Sequence, residues 1–139
     1  MRSFLATIVG ILAAAGVVFV MESLGHMLFP PSEELDLPNA QAMAAYVSKQ
    51  PLPAKLWLVL SWSMGATSGC FVASRIVKES ALPAVLVGAF MGLGVFSNAY
   101  AIPHPIWLIA LGSLAVLMGA LTGYRLALGS PAPNGGGKA

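Results

Sequence analysis

Charge is scarce in this sequence. Asp, Glu, Lys and Arg make up 9% of its 139 residues, against about 25% in a soluble domain. A chain so poor in ions cannot clothe a water-facing surface. An ordinary soluble globule is excluded, and a bilayer becomes the solvent for the apolar side chains. The formal net charge of +2 is too small for a nucleic-acid-binding surface. Cysteine is almost absent as well. Cys70 stands alone, so an intramolecular disulfide is impossible and a cysteine-based metal site has no support. The length allows one domain.

What the chain does have is hydrophobic residues, at 58% of the total. They fall into four long stretches, at about 4–29, 55–77, 82–102 and 105–128. Each reaches the roughly 20 residues that cross about 30 Å of hydrocarbon. Lipid offers the backbone no hydrogen-bond partners, so the stretches are expected to be helices. The first is too long for the core of a signal peptide and is read as a retained helix. Proline punctuates the rest. Pro30 and Pro31 close the first stretch, and Pro51 and Pro53 precede the second. Arg75 to Ser80 forms a short polar break, with Ser80 suited to cap the third helix and Pro83 tolerated in its first turn. Ile102-Pro103-His104-Pro105 is tight enough to fold the last two helices into an antiparallel hairpin. The tail, 130–139, is rich in Pro and Gly and is expected to be disordered.

The fold expected is therefore an all-α membrane protein of four transmembrane helices, arranged as two antiparallel hairpins over residues 1–129. Lys and Arg set its orientation. With the N-terminus inside, Arg2, Arg75, Lys78, Arg125 and Lys138 lie on the cytoplasmic side, and only Lys49 and Lys55 lie outside. Both termini are then cytoplasmic. Trp57, Tyr100 and Trp107 fall near the outer interface, where an aromatic belt belongs. The one sizeable loop, about 30–54, begins acidic at Glu33, Glu34 and Asp36. It then offers Asn39 as a cap for a short amphipathic helix to about Ser48, with Met43, Tyr46 and Val47 on one side. That helix is expected on the outer surface or across the mouth of the bundle. A faint repeat at an offset of 50 relates Pro53, Trp57, Leu58, Ser63 and Arg75 to Pro103, Trp107, Leu108, Ser113 and Arg125. It records either a duplicated hairpin or chance.

Two sets of residues invite function. Gly65/Gly69, Gly88/Gly92 and Gly119/Gly123 are spaced four apart on three helices. Helices in lipid associate through close backbone contact, which small residues allow. These faces are expected to pack the bundle, with one left over for a partner subunit or a second copy. The other set centres on Glu22, roughly 8 Å beyond the midpoint of the first helix by its rise of about 1.5 Å per residue. A carboxylate at that depth must face the bundle interior. His26 lies one turn further along the same face. Asn98 and Ser61 reach a similar level, and His104 sits in the outer turn. Glu22, His26, Ser61, Asn98 and His104 are thus read as a polar cluster. It either locks helix register or serves a proton relay, a quinone or another small ligand. No compact motif supports a metal, and both histidines lie too near the interface for a bis-histidine haem. No cofactor is predicted.

Met21-Glu22-Ser23-Leu24-Gly25-His26 with Phe29-Pro30-Pro31, and later Ile102-Pro103-His104-Pro105-Ile106-Trp107, form a recurring signature. It resembles a pattern in small four-helix bacterial membrane proteins of uncharacterised activity, across nearly the whole chain apart from the tail. The resemblance implies an inner-membrane location and an intact outer polar cluster, and it implies no substrate. The sequence holds no nucleophile–base pair and no phosphate-binding glycine loop, so no catalytic residue is assigned. The first functional expectation is a non-enzymatic protein acting by helix association, as an accessory subunit or a homo-oligomer. The alternative is a small transporter or proton-coupled, ligand-binding protein that uses Glu22 and His26. The bilayer, other membrane subunits and a second copy are the partners considered.

Overall fold

The computed structural model describes residues 1–30 and 40–129, and the regular structure there is wholly helical. The elements are α1 (Arg2–Leu28), α2 (Ala40–Lys49), α3 (Leu52–Ile76), α4 (Leu82–Ala101) and α5 (Ile106–Gly129). Of these, α1, α3, α4 and α5 are long and apolar enough to cross a membrane. Phe4, Leu12 and Phe19 on α1, and Leu93 and Phe96 on α4, each leave more than half their surface uncovered. A bundle folding in water would bury such side chains, whereas one in lipid turns them outward. The acidic start of the loop, the Asn39 cap and the tail lie outside the described residues.

Proline sets the helix ends. α3 begins at Leu52, three residues ahead of the expected start, because Pro53 sits in its first turn. A missing N–H costs nothing there, since the first helical N–H groups have no intrahelical partner. Pro51 is the cap residue, and its carbonyl accepts the N–H groups of Ala54 and Lys55 at 3.0 and 3.3 Å. At the start of α4 the Ser80 hydroxyl accepts the Leu82 N–H at 3.2 Å from one position before the cap residue, Ala81.

α3 is the hub of the bundle, with α1, α4 and α5 all packed against it. Different stripes of α3 meet each neighbour. Gly69 faces α1 so closely that a Cβ there would lie 2.7 Å from both the Ala14 Cβ and the Gly10 carbonyl oxygen. Ser63 and Thr67 face α5, where a Cβ on Gly119 would come within 2.5 Å of the Ser63 carbonyl and one on Gly123 would strike the Thr67 backbone. Cys70 faces α4, its thiol donating to the Ala84 carbonyl at 3.4 Å. The order of these contacts gives the chain directions. Gly10 lies by Gly69 and Gly25 by Trp57, so α1 runs opposite to α3. Gly112 lies by Trp62 and Gly119 by Ser63, so α5 runs alongside α3 in the same direction.

The glycines divide unevenly. Gly65, Gly69, Gly119 and Gly123 all sit at close crossings, and Gly88 lies beside Ala120. Gly92 departs from the expected packing role. A Cβ there would meet nothing within 4 Å, because this side of α4 turns away from the bundle. Gly25 and Gly112, not singled out from sequence, instead receive the Trp57 and Trp62 rings.

Hydroxyls inside the helices satisfy themselves on the backbone one turn back, as lipid demands. Thr7, Ser61 and Thr67 donate to Ser3, Trp57 and Ser63 at 2.9, 2.9 and 2.8 Å. Ser74 is the exception among the described residues: its Oγ is buried and has no hydrogen-bond partner.

Candidate functional site

A cavity of about 280 Å³ opens at the end of the bundle where α1 and α4 finish and α3 begins. Its polar lining combines Glu22 and His26 from α1, Asn98 from α4 and His104 from the α4–α5 link. Trp57 and Leu58 of α3 form one wall. α2 supplies another through Met43, Tyr46 and Val47, the three residues at helical spacing that the sequence placed on one side. Val47 is nearly fully buried. A helix of ten residues is too short to be stable alone, so this contact explains why α2 forms. Its C-terminal end is tied down by Lys55, whose ammonium donates to the Ser48 carbonyl at 3.2 Å.

Two tryptophans build the interior of the site. The Trp57 indole N–H donates to the Met21 carbonyl of α1 at 2.7 Å. The ring fits only because residue 25 is glycine, since a Cβ there would lie 2.7 Å from Trp57 Cδ1. Trp62 lies a turn and a half deeper, buried among α1, α4 and α5 neighbours. Its indole and the His26 ring are both close enough to the Glu22 carboxylate to act on it. On its other side Trp62 meets His104, with ring centroids 6.4 Å apart and tilted by 57°. Glu22 and His104 therefore flank one indole.

The state of His104 follows from its bond. Nδ1 lies 2.6 Å from the Ile102 carbonyl oxygen. A carbonyl can only accept, so Nδ1 carries a proton and donates it to Ile102.

Of the residues assigned to a polar cluster, Glu22, His26, Asn98 and His104 all line this cavity. Ser61 does not. It has the right depth, but its fully buried hydroxyl is turned back to Trp57 O on its own helix. Trp62 was missed. The available signal was its depth: an indole that far from the interface needs an acceptor for its N–H, and Glu22 was the obvious candidate. Among the described residues no three His, Cys, Asp or Glu side chains gather closely enough to hold a metal ion.

The fold and the cavity together define a multi-pass helical membrane protein with a mainly apolar chamber, carrying a few polar side chains, at one end of its bundle. No known protein family, curated protein or solved structure matches the chain.

Proposed function

We propose that this protein binds a small ligand in the cavity beneath α2, with Glu22 as the principal polar contact and His26, Asn98 and His104 around it. One observation carries the reading: Glu22 and His26 of α1, Asn98 of α4 and His104 of the α4–α5 link, three separate parts of the chain, line one chamber of about 280 Å³. A network serving only to lock helix register has no need of open volume. It would close on itself, as buried polar groups do when their partners are within reach. In the orientation given by Lys and Arg, with both termini cytoplasmic, the chamber faces the outer side of a bacterial inner membrane. Binding there fits a small transporter or a proton-coupled protein better than an enzyme.

The test uses the protein in lipid nanodiscs and a panel of small amphiphiles, neutral, cationic and anionic. At least one compound raises the melting temperature of the wild type, and Ala54→Phe, which fills the chamber, removes the rise. If no compound distinguishes the two proteins, the reading fails.

A second reading, association with a partner subunit or another copy, has one observation behind it. Gly16 on α1 and Gly92 and Gly94 on α4 meet nothing within 4 Å, leaving room for another helix to approach. Chemical cross-linking in native membranes tests it. Gly92→Leu then abolishes a cross-linked species, and an unaltered pattern removes this reading.

A further inference from the structure

We infer that the cavity takes a small organic cation, a protonated amine on a compact apolar or aromatic body. The inference rests on the ligand-binding reading above and adds the class of ligand.

The first argument is charge. Among the described residues Glu22 is the one acidic side chain lining the chamber, no Lys or Arg lines it, and His26 is the basic group beside the carboxylate. Lys55, at the start of α3, is engaged with the Ser48 carbonyl. An anionic guest would meet the carboxylate with no lysine or arginine to hold it.

The second argument is hydrogen-bond polarity. The donors whose direction is fixed already have partners within the protein. Trp57 N–H goes to Met21 O, His104 Nδ1–H goes to Ile102 O, and the Trp62 indole meets Glu22. What the Glu22 carboxylate still offers is acceptor capacity. The Asn98 and Gln50 amides and the Tyr46 hydroxyl can both donate and accept, so a guest that brings donors finds its strongest acceptor in the Glu22 carboxylate.

The third argument comes from the backbone. α1, α2 and α4 all direct their C-terminal turns at the chamber, through Gly25 and His26, Tyr46 and Val47, and Asn98. A helix C-terminus carries about half a negative charge on its free carbonyls. α3 and α5 bring their N-termini to the same end, so three C-termini stand against two N-termini and the helix ends favour a cation only slightly.

Aromatic walls complete the match. Phe29, Tyr46 and Trp57 line the chamber, and ring faces attract ammonium groups. Size limits the guest. A cavity of about 150 Å³ holds one benzene ring, so about 280 Å³ suits a ring with a short aminoalkyl arm.

The experiment compares three probes of one shape on the full chain in nanodiscs: phenethylammonium, phenethyl alcohol and phenylacetate. Binding is read by calorimetry and tryptophan emission. The ammonium binds at least ten-fold more tightly than the alcohol, and phenylacetate does not bind. Glu22→Gln erases the preference for the ammonium. Tyr46→Leu, on the short helix outside the four-helix bundle, reduces ammonium affinity several-fold and leaves the alcohol unchanged, which keeps the test open should Glu22→Gln misfold. If the alcohol or the acetate binds as well as the ammonium, the cation assignment is overturned while the ligand-binding reading stands. If none of the three binds up to millimolar concentration and Ala54→Phe behaves as wild type with the wider panel, both fall.

Discussion

The two halves of α3 lead different lives. From Gly65 to Ser74 the buried positions are small: Gly65, Ala66, Gly69, Cys70, Ala73 and Ser74. Helices cross there at backbone distance, and α1 and α5 close on either side. From Trp57 to Trp62 the same helix carries two indoles, and its neighbours stand apart around a chamber. Lipid gives helices little hydrophobic reason to associate. The small-residue half therefore holds the bundle together, which lets the other half remain open. Close packing and the chamber occupy opposite ends of one helix.

The largest effect is expected where the closed half is forced apart. Gly69→Leu drives a branched side chain into Ala14 and the Gly10 carbonyl, and overpacking of this kind costs about 1–3 kcal/mol or more. Unfolding in detergent, followed by circular dichroism, shows a protein that melts far earlier or does not fold. Gly25→Ala comes next and acts on the open half. Its methyl group displaces the Trp57 ring and breaks the bond to Met21 O. A loss of about 1–2 kcal/mol is expected, with a red shift in tryptophan emission and weaker ligand binding. Ser74→Ala sharpens the contrast from the other side. Its hydroxyl is buried without a partner, so removing it leaves stability unchanged or raises it by about 1 kcal/mol. The smallest effect belongs to Gly92→Leu, which points into open space and changes the stability of the single chain by less than about 0.5 kcal/mol. A large loss there would mean that the closed half extends along the outer face of α4.

Sequence made the helices plain because lipid enforces them. Segment length and proline placement locate the ends to within a few residues, and α3 starts early only because proline is harmless in a first turn. Depth along a helix was equally legible, since it follows from a constant rise. That arithmetic put Glu22 and Asn98 at one level. Direction around the helix was not legible. Ser61 has the right height but looks back at its own backbone, and Gly92 has the right spacing but faces outward. In a soluble helix the polar side marks the exterior, whereas here nearly every side is apolar and that compass is lost. The roles of Trp62 and Gly25 depend on which residue from another helix lies opposite, and spacing within one segment carries no such information.

The hub position of α3 bears on how the chain enters the membrane. α3 has the lowest mean hydropathy of the four spans and the largest buried share, owing to its serines, threonine and glycines. α1 is the most hydrophobic span and the least covered by its neighbours. During biosynthesis α1 can partition into lipid unaided, whereas α3 gains most from a companion already there. A segment that emerges before α3 thus serves as host for the one that later organises the rest, and weakening α1 would be felt as failed integration of α3 before any defect in α1 itself.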